Sequence, residues 1–129
     1  MADHKSFKSS GGIGDGGNHG TATAEVVVDV APDSELYVAN FETGVGYANA
    51  VDWMRNQNVD VIVMSAGFFQ QPYDGDGFIS EVADDAVQQD GIVWANSAGN
   101  YAQAHWQGDF SNPDGDQWLD FASGDDEAP

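Results

Sequence analysis

The sequence has no cysteine, which excludes disulfides, thiolate metal ligands and cysteine nucleophiles. Cations are almost absent as well. Three Lys and Arg stand against twenty-two Asp and Glu, a formal charge of −19. So acidic a surface repels phosphate backbones and anionic lipid headgroups, setting aside nucleic acid and membranes as partners. No apolar run approaches the ~20 residues that a bilayer-spanning helix needs, and Met1 to Ser6 show no signal-peptide core. Charge of one sign also weakens a compact state through self-repulsion, which concentrated salt screens, the Debye length falling to about 3 Å at 1 M. The composition therefore points to a halophilic setting, with plain acidic solubility as the alternative.

The sequence does hold the material of a core. Hydrophobic residues make up 41% of 129 positions, with seven Phe and four Trp. One domain of this size buries roughly two thirds of its unfolded surface. Residues 1–18 are polar and glycine-rich and read as a flexible leading segment without a strand. Residues 19–121 carry the folded part, and 122–129 form an acidic, solvated tail. Three short apolar runs, Glu35–Phe41, Val59–Ser65 and Gly91–Asn96, are nearly continuous, as strands buried on both faces are. Between them Tyr47–Gln57 and Phe78–Gln89 space their apolar residues as helices do, and Gly91 supplies a stop. This alternation predicts an α/β fold, a three-layer α/β/α arrangement with a mostly parallel sheet.

One segment is ambiguous. After His19, the run Glu25-Val-Val-Val-Asp-Val30 favours a strand by propensity, whereas Ala22, Ala24 and Pro32 fit a helix closed by proline. A lone histidine in a glycine-rich turn is ordinarily just solvated.

His19-Gly-Thr-Ala-Thr-Ala, followed by Val30-Ala-Pro-Asp-Ser-Glu-Leu-Tyr37, resembles the histidine motif of subtilisin-like serine proteases and the segment after it. Val61-Ile-Val-Met-Ser-Ala-Gly67 and Trp94-Ala-Asn-Ser-Ala-Gly-Asn100 are similar to two further family motifs, in the family's order. His105 to Phe110 and Asn112 to Phe121 resemble an acidic branch of that family. The resemblance implies a subtilisin-like fold, truncated here, with His19 opening a buried helix as the general base. It implies Asn100 as the oxyanion donor, a role whose loss typically lowers turnover by about 10²–10³. The alternative for Asn100 is a turn residue in the left-handed conformation, which Asn tolerates. By the same resemblance Ser65, Ala66 and Gly67 form an edge that pairs with extended polypeptide, and Ser97, Ala98 and Gly99 wall the first specificity pocket.

Two departures bear on activity. The family's aspartate lies in an Asp-Ser/Thr-Gly motif after a strand, far upstream of its histidine. Here only Asp15, four residues before His19 on a glycine-rich loop, stands nearby. The family's Gly-Thr-Ser-Met-Ala serine motif has no match, and Ser111 and Ser123 lie in polar loops. The resemblance then implies a partial endopeptidase domain that is inactive alone. Its partner is a polypeptide substrate or the missing flanking segments of the protease domain. A non-catalytic peptide-binding or protein-interaction module on the same fold is the alternative. Family members are usually extracellular, while this sequence carries no export signal of its own.

No cofactor is required on this reading. Asn112, Asp114, Asp116 and Asp120 fall at positions one, three, five and nine of a calcium loop, without its glycine at six or acidic residue at twelve. A weak calcium site and a solvated acidic turn both remain open. Gly12-x-Gly14-x-x-Gly17 matches a dinucleotide fingerprint only by letters, since the polar run Lys5-Ser-Phe-Lys-Ser-Ser10 before it does not read as a strand. His4, His19 and His105 share no zinc-ligand spacing.

Overall fold

The structure, a computed structural model, describes residues 1–15, 17–69 and 75–100. The calcium candidates Asn112, Asp114, Asp116 and Asp120 lie outside the described residues, as do the stretches 105–110 and 112–121 and the acidic tail 122–129.

The chain alternates strand and helix: β1 (Asp3–Phe7), α1 (His19–Val30), β2 (Tyr37–Phe41), α2 (Gly44–Asn56), β3 (Val61–Met64), α3 (Phe78–Asp90) and β4 (Val93–Asn96). All observed strand pairing is parallel. β1 pairs with β2 from Asp3↔Tyr37 to Phe7↔Phe41, and β3 with β4 from Val61↔Val93 to Met64↔Asn96. Each pair encloses its own crossover helix, so the described chain is two βαβ units joined through α2. This is the α/β fold with parallel strands that the alternating pattern predicts.

Helix α2 lies at the centre. Thr43, in extended conformation, caps it by accepting the Gly46 N–H on its hydroxyl at 3.0 Å. Gly46, Tyr47, Ala50 and Val51 form its buried stripe. A Cβ at Gly46 would stand 2.7 Å from the Phe7 carbonyl, so only glycine lets α2 cross β1 this closely. Tyr47, Val51, Ile62, Ala86 and Ile92 make the core, with Phe41, Met54, Phe68, Ile79 and Trp94 packed around it. The Tyr47 ring meets Phe41, Phe68 and Trp94 at centroid distances of 5.5, 5.2 and 6.3 Å, all edge-on. At the end of α3, Gly91 takes φ +71° and turns the chain into β4.

Three expectations change and one open segment is settled. The first eighteen residues contain β1, although four of its five residues are polar; pairing to β2 makes the strand. The ambiguous Glu25–Val30 run is helical, as the last half of α1. That helix is not buried, however. None of its residues is buried, His19 included, and Val26 and Val30 are 62% and 81% exposed. The strands of the second pair are covered on one face only. Ile62 is buried and Trp94 half-buried, while Val61, Val63 and Val93 are each more than half exposed. The physical reason is common to both cases: α2 and α3 cover one side of β3–β4, and no described element packs firmly over the valines of α1 or those of the opposite sheet face.

Candidate functional site

The site is built where β3 and β4 end. β4 runs parallel to β3, and the ladder closes with Ser97 N–H donating to the Met64 carbonyl at 3.0 Å. Ser65–Gly67 and Ser97–Asn100 therefore leave the sheet at the same, carboxyl end. His19 reaches that end from the first turn of α1. Its Nε2 lies 2.9 Å from the Ser65 carbonyl oxygen and 3.1 Å from the Ser65 hydroxyl. Helix α1 thus carries the imidazole to the second strand pair, although His19 lies between the strands of the first.

Asn100 is exposed, four residues past the end of β4. The turn that delivers it uses Gly99, at φ +78°. Among the described residues Asn58 is the non-glycine residue with positive φ, so left-handed strain does not account for asparagine at 100. Ser97, Ala98 and Gly99 are exposed. The Asn96 side-chain amide donates to the Ser97 carbonyl at 2.8 Å.

Beside the Ser65–Gly67 segment a cavity of about 350 Å³ opens, lined by Gly67, Tyr47, Phe68, Ile79, Trp94 and Asn96 among others. Gly67, expected on the pairing edge, lines this cavity, whereas Ser97, Ala98 and Gly99, expected to wall a pocket, are not among its described lining. Its apolar walls come from α2, α3 and the strand ends, elements chosen by core packing. The sequence signal that could have found it is the Tyr47–Ile79–Trp94 set, which reads as ordinary core. Tyr47 Oη donates to the Ile79 carbonyl at 3.2 Å, and burial pushes its pKa up to about 12.

Asp15 is committed locally. Its carboxylate accepts the Gly12 N–H at 2.7 Å, and its own carbonyl accepts from Lys8 Nζ. Asn40 ties the same loop down by donating to the carbonyls of Gly12 and Ile13 at 3.0 and 3.1 Å. Glu42, beyond β2, accepts from the Ser9 hydroxyl and N–H, which hold its carboxyl below the usual glutamate range. None of these carboxylates has a hydrogen bond to His19. Among the described residues no three His, Asp or Glu side chains gather where a metal ion would fit.

A model of the subtilase family matches residues 8–118, which begins just after β1 and takes in every later described element and every segment of this site. The chain belongs to the subtilase family. No curated protein matches it. Within this subtilase the match takes in His19, Ser65–Gly67 and Ser97–Asn100 together, and its peptidase domain is a partial one.

Proposed function

We propose that this subtilase domain binds extended polypeptide along Ser65–Gly67, with His19 in the position of the general base and Asn100 in that of the oxyanion donor. The observation that carries the reading is the His19 ring lying against the Ser65 backbone at the carboxyl end of β3. A backbone edge, an imidazole and an apolar cavity at one strand end are the parts a peptide needs: pairing, chemistry and a side-chain socket. Lining by Tyr47, Phe68 and Trp94 suits a large apolar side chain there.

The sequence supplies neither the family's serine motif nor its aspartate motif. In this reading Ser65 is not the nucleophile, since its hydroxyl belongs to the binding edge. Oxyanion hole and binding alone leave roughly 10³–10⁴ over water in intact enzymes, so the chain by itself binds peptide and hydrolyses it negligibly. The −19 charge fits operation in concentrated salt, where acidic self-repulsion is screened. A calcium turn at Asn112, Asp114, Asp116 and Asp120 would add local charge neutralisation.

The experiment is a titration of the full chain, in molar KCl, with a blocked, lysine-flanked peptide containing one Phe, followed by amide shifts. Saturable shifts centred on Ser65, Ala66 and Gly67 are expected. No shift at those three amides at saturating peptide contradicts the reading.

A further inference from the structure

His19 and Ser65 meet in a way that a ready general base would not. A carbonyl oxygen has no proton to give, so the 2.9 Å contact requires a hydrogen on Nε2. In the neutral ring the lone pair then sits on Nδ1. A histidine that takes a proton through Nε2 needs the opposite tautomer. The Ser65 hydroxyl, 3.1 Å from the same nitrogen, therefore faces an N–H and not a lone pair.

The acceptor in this bond has a second claim on it. Val93 N–H donates to the Asp60 carbonyl and Ser97 N–H to that of Met64, both at 3.0 Å, so these carbonyls face β4. Backbone groups alternate sides along an extended strand, and one step further the Ser65 carbonyl turns away from β4. Among the described residues β3 pairs with β4 alone. The Ser65 carbonyl is thus the acceptor that an added strand would use, and an imidazole N–H has taken it. The ring is also free to leave, because His19 is exposed and α1 has no buried residue.

Resting on the peptide-binding reading above, we propose that His19 is a latch on the polypeptide edge. In the empty protein its ring occupies the Ser65 carbonyl; an extended peptide pairing with Ser65 displaces the ring and frees Nε2. Peptide and imidazole compete for one acceptor, so the edge is opened by the ligand that uses it.

The test compares the affinity of the same Phe-containing, lysine-flanked peptide for the full chain and for His19→Ala and His19→Gln, each checked for native circular dichroism. His19→Ala abolishes the competing donor and is expected to bind roughly two- to tenfold more tightly, the range spanned by one neutral hydrogen bond. His19→Gln keeps an N–H donor and is expected to stay close to the wild type. In the wild type, peptide addition should move the His19 ring nitrogen signals. Equal or weaker binding by His19→Ala overturns the latch while leaving the binding edge standing. Loss of saturable binding in all three proteins instead overturns the edge reading and the latch with it.

Discussion

The ring of His19 donates to the carbonyl of Ser65 at 2.9 Å across a separation of 46 residues. That bond joins the first turn of α1 to the end of β3 and so brings two of the sequence motifs into one place. It is made by a side chain with no buried neighbour on its own helix. What holds the histidine at the strand ends is therefore a polar contact to backbone, in place of helix packing.

The core should respond to alkali through Tyr47. Its phenol is 2% exposed and its pKa is raised from 10.0 to about 12. A raised folded-state pKa means the neutral form is favoured on folding, so this contribution is complete below pH 10 and is lost as pH rises toward 12. Urea midpoints measured across that window should fall in the wild type. Tyr47→Phe should flatten the fall, at a cost of about 1 kcal/mol from the lost hydrogen bond to Ile79. An unchanged slope in that variant would remove Tyr47 as its source.

Gly46→Ala tests how α2 crosses β1. The added methyl would stand 2.7 Å from the Phe7 carbonyl, a backbone atom that cannot rotate away. Overpacking of this kind costs about 1–3 kcal/mol, although alanine is the better helix former. A lower melting temperature is expected. Stabilisation by Gly46→Ala would show that the helix has room to move off the strand.

Much of this architecture was readable from residue order. The core stripe of α2 and the three apolar runs fall where strands and helices form, because burial imposes periods of 3.6 and 2 on apolar residues. Strand β1 was not legible. Asp3, His4, Lys5 and Ser6 carry no strand signature, and the strand exists through its ladder with Tyr37–Phe41. The valines of α1 pulled propensity toward a strand, and the helix prevailed with those side chains exposed. The motifs led to His19 and Ser65, but not to the tautomer their contact dictates, since hydrogen-bond direction depends on coordinates and not on residue type.

Salt should stabilise the chain. With −19 formal charge, screening of acidic repulsion is expected to raise the melting temperature steadily from dilute buffer to molar KCl. Arg55, one of the three cations, bonds Asp90 and lies 3.7 Å from Asp52. Arg55→Ala should cost up to about 1 kcal/mol in dilute buffer, and less in molar salt. A melting temperature independent of salt would contradict the halophilic reading.

Peptidase assays should find almost nothing. Casein or a chromogenic peptide incubated with the chain in molar KCl is expected to be cleaved no faster than with His19→Ala. Turnover by the wild type that His19→Ala abolishes would mean that a nucleophile within this sequence has gone unrecognised.

The most direct measurement exploits the absence of native cysteine. A nitroxide fixed to Asn100→Cys should broaden the His19 ring proton signals, and reduction of the label should restore them. Convergence of imidazole and carboxamide at the strand ends predicts that result; His19 signals indifferent to the label would place them apart and contradict it.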